Sequence, residues 1–342
     1  CGWGTLQVAL AYVQYLHCPH KEGGDACGKC PSCVQIEALA HPDVHFTFPI
    51  INPTKTPTSD SYITEWREMV ASSDALFDEH DWYGAIDVSN QQGIIPKKEA
   101  DSIIRKLSFK AFEGENKSVI IWLPERMNRE SANTLLKILE EPWDKTLFIL
   151  VSERPDLLLQ TITSRTQEIA ISGIDSQTLE SIALGEGRTQ TEARNMARLA
   201  SGSLLELQAL MRGESDEARH QYFDLFCRLM RLSYNDKHLE LMEWAEEMST
   251  LTREGQRQFF LNAVRLLRES YMIHAGLGSI SYLWGEEAEF CSKFAPFIGN
   301  QNIEILVQEI ETAMVEIAQN GSPRIVFTHF ALAVSKQINR LR

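Results

Sequence analysis

Four cysteines near the start of the chain, in the order Cys18-x8-Cys27-x2-Cys30-x2-Cys33, are the residues whose type and spacing point most directly to chemistry. Four thiolates suit one tetrahedral zinc ion, and a site closed in this way leaves no position for a substrate, so the expected role is structural. Two overlapping Cys-x2-Cys steps in a turn that carries Gly23, Gly24 and Gly28 form a ready metal knuckle. The alternative is four unconnected thiols or a disulfide pair. His17 and His20 flank Cys18 and could serve as ligands, but the four thiolates already fill the site, so both are read as neighbours. The remaining cysteines, Cys1, Cys227 and Cys291, are scattered and odd in number, which fits a reducing, cytoplasmic setting. Cys227 and Cys291 are expected to be buried, inert thiols.

The elements that must position these groups follow from periodicity. The first half of the chain alternates between helix and strand patterns. Thr5 to His17 has an apolar helical face, and Pro31 to Ala40 is a second short helix after the cysteine loop. Strands are expected at Val44 to Ile50, Ala85 to Ser89, Ser118 to Leu123 and Thr146 to Val151. Helices are expected at Ile63 to Phe77, at Lys97 to Phe109, where the face is basic, and at Arg129 to Glu140. Such alternation implies a mostly parallel sheet with helices on both faces. From about Asp175 the strands vanish, and short helices at Ser176 to Leu184, Gln190 to Ala200 and Leu204 to Met211 lead into long helical patterns. The clearest of these run from Arg257 to Ile273 and from Ile303 to Ala318.

With 342 residues and 44% hydrophobic content, the chain can build two or three domains. The expected division is an α/β domain over 1–172 with the cysteine module at 18–33, a small helical lid over 173–213 and a helical domain over 214–342. Residues Leu6 to Leu16 are apolar but interrupted by Gln7 and Gln14, so neither a signal peptide nor a membrane span is expected. Cys1 could mimic a lipid-anchored cysteine, but the chain lacks an initiating Met and opens within a motif, so the expectation is that its own N-terminus lies upstream. A net charge of −14, from 33 basic and 47 acidic side chains, repels a polyanion at long range and disfavours an autonomous DNA-binding protein.

Asn133-Thr134-Leu135-Leu136-Lys137-Ile138-Leu139-Glu140-Glu141-Pro142 lies between two buried strands, and Ile162-Thr163-Ser164-Arg165-Thr166 follows the second of them. Together with the cysteine module and His41-Pro42-Asp43, these motifs closely resemble bacterial DNA polymerase III clamp-loader subunits of the AAA+ superfamily. The resemblance covers essentially the whole chain, although its motifs lie in the first half. Within that family two zinc-bearing subunits compete: an ATP-hydrolysing motor and a non-hydrolysing delta-prime subunit.

The residues at the family's nucleotide site decide between them. A phosphate-binding loop needs glycines, a Lys for the phosphates and a hydroxyl for magnesium. Cys1-Gly2-Trp3-Gly4-Thr5 occupies the tail of that loop, with Trp3 where the family has Lys and Gly4 where it has the hydroxyl. The two acids that should end the magnesium-binding strand correspond to Trp122 and Leu123; Glu125 lies two residues late, after Pro124, and is read as surface. Leu205, in Gly202-Ser203-Leu204-Leu205, replaces the arginine that senses nucleotide in related motors. The resemblance therefore implies zinc as a structural cofactor and no hydrolysis of ATP by this chain, with no cofactor held at Gly2, Trp3 and Gly4.

Arg165 survives. The family's Ser-Arg-Cys element projects an arginine finger into the ATP site of the adjacent subunit, and here it reads Ser-Arg-Thr, which removes a thiol and no charge. Guanidinium stays charged and pairs bidentately with phosphate oxygens. The resemblance implies that Arg165 acts on a neighbour in a complex with the motor and delta subunits, helping to load the sliding clamp on primed DNA. Ser152, in the place of a polar sensor, is read as a structural hydroxyl. Lys97, Lys98, Arg105, Lys106 and Lys110 form a basic run that could face duplex phosphates, or a solvated face. The Leu135, Leu136 and Leu139 stripe is read as core packing. Asn52 to Tyr83 is longer than the family leads one to expect; its Trp66 and Trp82 are expected to pack, with a partner protein as one candidate. The rivals are the motor with a divergent ATP site and a zinc adaptor outside replication.

Overall fold

Strand β2 (Lys117–Trp122) is buried at all six residues, and its apolar residues run unbroken from Val119 to Trp122 rather than alternating, as expected of a central strand covered on both faces. It pairs in parallel with β1 (Val44–Thr47) on one side and β3 (Thr146–Val151) on the other, in the order β1-β2-β3. Residues opposite one another run from Val44↔Ser118 to Thr47↔Ile121 and from Lys117↔Thr146 to Trp122↔Val151. The computed structural model describes residues 2–51, 58–86, 93–212, 214–278, 283 and 285–340.

The twofold period of β2 divides the packing into two sets. Val119 and Ile121 join Ile103, Leu107, Leu135 and Ile138 from helices α5 (Lys97–Ser108) and α6 (Arg129–Glu140). Ile120 and Trp122 join the opposite set, with Leu6, Ala9 and Val13 of α1 (Thr5–His17), Ile36 of α2 (Pro31–Glu37), Trp66 and Val70 of α3 (Ile63–Ser73) and Trp82 of α4 (Glu79–Ala85). Leu135 is fully buried while Leu136 and Leu139 are half-buried, so the leucine stripe of α6 is core on one edge only.

Local chemistry sets the helix ends. Asn128 caps α6 by accepting the Ser131 N–H at 2.8 Å. Asp78 and Asp81 form a reciprocal capping box that starts α4. That cap explains a departure from the sequence pattern: Ala85, expected to open a strand, is instead the last residue of α4, and 87–89 lie outside the described residues. Helix α3 ends at Ser73 because Asp74 and Ala75 both take left-handed backbone angles, φ 53° and 56°.

The described residues of the segment between β1 and α5, which leave out 52–57 and 87–92, pack into their own chain rather than standing ready for a partner. Trp66 and Trp82 are 1% and 0% exposed. Phe48 stacks on Trp66 at 4.3 Å, Trp82 meets Trp66 edge-on at 5.3 Å, and the Trp82 indole N–H donates to the Pro49 carbonyl at 2.9 Å. Buried aromatic pairs of this geometry add to the stabilisation from area alone.

Beyond β3, α7 (Gln160–Thr163) is followed, among the described residues, by helices alone: α8 (Ser176–Gly185), α9 (Gln190–Leu199), α10 (Leu204–Arg212), α11 (Glu214–Tyr234), α12 (His238–Ser249), α13 (Arg253–His274), α14 (Gly285–Phe294), α15 (Ile303–Ala318) and α16 (Pro323–Asn339). The chain separates into two compact units, Cys1–Ile182 with Ala200–Leu207, and Ala183–Leu199 with Gln208–Arg342. The second unit has its own core, built on Phe226, Trp244, Phe259, Phe260, Leu266 and Phe327. Cys227 and Cys291 lie within it, where burial pushes their thiols up to about 12 and about 11. Among the described residues no helix is long and apolar enough to cross a membrane.

Replacing Trp82 by Ala removes a fully buried indole and is expected to lower the stability of the first unit by about 3–5 kcal/mol. Phe112→Ala, at a side chain that is 82% exposed, should shift stability by less than about 0.5 kcal/mol. Urea unfolding of both variants measures the difference.

Candidate metal centre and nucleotide-loop region

The four cysteines come from three short stretches that fold onto one point. Cys18 is the C-cap of α1, Cys30 the N-cap of α2, and Cys33 lies in the first turn of α2 behind Pro31. The turn between them closes through a pair of backbone hydrogen bonds between Glu22 and Asp25, both at 3.0 Å. Gly28 has φ +70°, where an L side chain is strained, and this bend lets Cys27 and Cys30 face the same side.

The sulfurs of Cys18, Cys27, Cys30 and Cys33 all lie within 4.8 Å of one another, and among the described residues this is the cluster able to hold a metal ion. The Cys18 and Cys30 sulfurs are 4.0 Å apart, and neither cysteine forms a disulfide. A bonded pair would stand at ~2.05 Å, whereas a tetrahedron with metal–sulfur bonds of ~2.3 Å has sulfur–sulfur edges of ~3.8 Å. The donors therefore fit a tetrahedral ion. Backbone N–H groups of Cys27 and Cys33 point at the Cys18 and Cys30 sulfurs, each at 3.4 Å, which favours thiolate. The backbone N–H of Lys29, first among several donors, lowers the Cys27 thiol to about 6, while burial pushes Cys33 up to about 12.

His17 turns away from the cluster. Its Nε2 lies 2.9 Å from the Ser118 hydroxyl, and its ring meets His41 edge-on at 4.8 Å. Burial, and then the neighbouring His41, lowers its pKa to about 4. His20 is exposed. His41-Pro42-Asp43 braces the same region: the buried Asp43 carboxylate accepts three backbone N–H groups, from Phe112, Glu113 and Gly114, at 2.6, 2.8 and 3.2 Å. Its own N–H donates to His41 Nδ1 at 3.1 Å.

Around the start of α1 the chain folds over its own backbone. The Gly2 carbonyl accepts the Leu204 N–H at 2.9 Å, and a Cβ on Gly2 would stand 2.3 Å from the Ser203 hydroxyl and 2.7 Å from Leu205 Cβ. Gly202, at φ +88°, allows this approach, since a Cβ there would meet Gly173 Cα at 2.9 Å. Gly4 begins α1 with no side-chain cap, and Trp3 is 42% exposed. Cys1 lies outside the described residues.

At the end of β2, Trp122 and Leu123 are 3% and 2% exposed. The Trp122 indole packs 5.3 Å from Trp66 and 5.2 Å from Phe77. Glu125 is not idle surface. Its carboxylate accepts the Ser152 hydroxyl at 2.9 Å and the backbone N–H groups of Glu153 and Arg154 at 3.1 and 3.2 Å. Ser152 is thus a structural hydroxyl bonded across the sheet to the loop that follows β2.

Arg165 follows α7, with its Nε donating to Glu140 Oε1 at 2.6 Å and its Nη2 also paired with that carboxylate. On α5, Lys97, Lys98 and Arg105 are exposed. Lys106 differs from the expected open basic face, because Asp60 holds its Nζ at 2.6 Å. Lys110 lies beyond the helix. Glu99 of the same helix faces inward and accepts the Ser59 N–H at 2.7 Å; burial raises its pKa.

The sequence profile described as DNA polymerase III, delta subunit, matches residues 1–175. The chain belongs to that family. Proteins named DNA polymerase III subunit delta' resemble it over longer stretches. The one from Bacillus subtilis is 25% identical over 226 residues, 66% of this chain and 56% of the relative. The Yersinia pestis protein is 24% identical over 329 residues, 90% and 84% of the two chains. The Escherichia coli protein is 26% identical over 283 residues, 82% and 70%. In the Bacillus relative the match thus spans little more than half the length. The delta' resemblance reaches into the helical second half, where no sequence motif had been found.

Asp43→Ala would leave three partly buried backbone N–H groups without an acceptor, a loss of about 1–3 kcal/mol. Thermal or urea unfolding should show it, together with faster amide exchange at 112–114.

Proposed function

We propose that this chain is a non-hydrolysing subunit of a clamp loader that acts on ATP bound by its neighbour. The observation that carries the reading is the end of β2. A magnesium site needs carboxylates there, and the two positions hold a buried indole and a buried leucine instead. Three further features support it: Trp3 in place of a lysine, the Gly2 carbonyl bonded to Leu204, and Leu205 where an arginine would sense nucleotide.

In the neighbour's site, water attacks the γ-phosphorus. The new P–O bond forms as the bond to the β,γ-bridging oxygen breaks, the electron pair leaves on ADP, and the water's proton passes to the phosphate product or solvent. Arg165 would reach those oxygens from this chain and hold the charge that builds on them, a contribution of ~10³–10⁵ in rate in other phosphoryl-transfer systems. The motor and delta subunits are the partners this reading implies, with the sliding clamp and primed DNA reached through the complex. Lys97, Lys98 and Arg105 are the side chains of α5 open to duplex phosphates. Residues 1–172 would form the α/β domain, 173–213 a small helical domain, and 214–342 the part that holds the subunits together.

Cys18, Cys27, Cys30 and Cys33 would hold zinc. The ion would supply a rigid crosslink between the end of α1 and the start of α2, with no position left open for chemistry. Protein carrying both Cys27→Ser and Cys30→Ser should bind no zinc by atomic spectroscopy, lose several kcal/mol of stability and assemble poorly. Zinc-free protein of full stability and full assembly would sink the structural role.

The decisive experiment is the DNA- and clamp-stimulated ATPase of a reconstituted loader. Arg165→Ala should cut turnover by ~10³ or more while the complex stays assembled. Unchanged turnover in an intact complex would end the finger reading. Magnesium-dependent ATP hydrolysis by the isolated full-length protein would favour the motor.

A further inference from the structure

Arg165 does not project freely from the chain. Its guanidinium is engaged at all three nitrogens: Nε and Nη2 with Glu140, and Nη1 with the Thr161 carbonyl at 2.8 Å and the Ser164 hydroxyl at 3.1 Å. The Ser164 hydroxyl in turn donates to the Thr161 carbonyl at 3.3 Å. Arginine carries five N–H donors. The Glu140 carboxylate takes the edge formed by Nε and Nη2; the end-on edge formed by Nη1 and Nη2 is the one that can pair bidentately with phosphate oxygens.

The placement of Glu140 points the same way. It is the last residue of α6, where the helix carries partial negative charge and a carboxylate is disfavoured. Glu141 follows directly, adding a second negative charge. The Glu140 side chain is 46% exposed, so it does not fill the core of α6. The guanidinium 25 residues later offsets both costs.

We propose that Glu140 is the positioning residue for Arg165. Its carboxylate takes the Nε/Nη2 edge and fixes the plane of the guanidinium, so that its end-on Nη1/Nη2 edge is held in one direction. The proposal rests on the finger reading given above. Glu140 touches neither nucleotide nor the reacting atoms; it acts through Arg165 alone. Side-on pairing also keeps the arginine in one rotamer, so less freedom is lost when a neighbour's phosphate arrives.

The test is a double-mutant cycle in the reconstituted loader, built with the full-length protein and assayed for DNA- and clamp-stimulated ATPase. Glu140→Gln keeps size and solubility but removes the charge and sets an amide N–H2 against the guanidinium. It should lower kcat by about threefold to fivefold, the range that a partly exposed ion pair allows, with KM for ATP and assembly unchanged. In the Arg165→Ala background the same substitution should have no further effect, because there is then nothing left to orient. Glu140→Ala provides a second variant with the same expected pattern. Loss of turnover in Arg165→Ala with full or faster turnover in both Glu140 variants overturns the positioning role and leaves the finger intact. An equal loss from Glu140→Gln in both backgrounds also overturns it, since Glu140 would then act on the fold. No effect from Arg165→Ala overturns the finger reading itself.

Discussion

Burial of the Trp122 indole at the end of the central strand is the constraint on which the first unit depends. The indole contacts Trp66 and Phe77 at little more than 5 Å, and Trp66 in turn stacks on Phe48 and meets Trp82. One side chain in β2 therefore ties the sheet to helices α3 and α4 of a segment that begins beyond β1. A carboxylate in this position would need water or a cation beside it. Inside this aromatic cluster it would have neither, so the packing that holds the indole leaves no place for a charged side chain at this position.

A second brace works at the other end of the sheet. Ser118, at the entry of β2, meets His17 just before the cysteine turn, and Asp43, just before β1, gathers three N–H groups of the loop that leads into β2. The cysteine module is thus attached to the sheet through His17 and His41 as well as through the helices it joins. Whatever stiffens that turn is transmitted to the start of two strands.

Much of this was legible in residue order. Parallel strands with both faces covered announce themselves as unbroken apolar runs, and Ser118 to Leu123 was one of these. Helix α6 was delimited correctly by its apolar spacing and by the break at Pro142. The cysteine spacing led to four sulfurs that do converge. The failures share a cause: they turn on partners distant in sequence or on a cap stronger than a local propensity. Glu125 looked like surface because Ser152, its partner, is 27 residues away. Lys106 looked free because Asp60 precedes it by 46. Ala85 looked like the start of a strand, yet the Asp78–Asp81 capping box commits the preceding turn to helix. Glu140 gave no local sign that Arg165 would reach back to it.

The indoles of Trp66, Trp82 and Trp122 form a chain of contacts, each step at 5.3 Å. At that separation their electronic transitions couple, and excitation migrates among them before it is emitted. The chain has seven tryptophans, but Trp244 belongs to the core of the other unit. The coupled trio gives the first unit an optical signature of its own in the near ultraviolet, one that vanishes when the rings part and owes nothing to the helical half of the molecule. Loosening around the ends of the strands is thereby visible without a label.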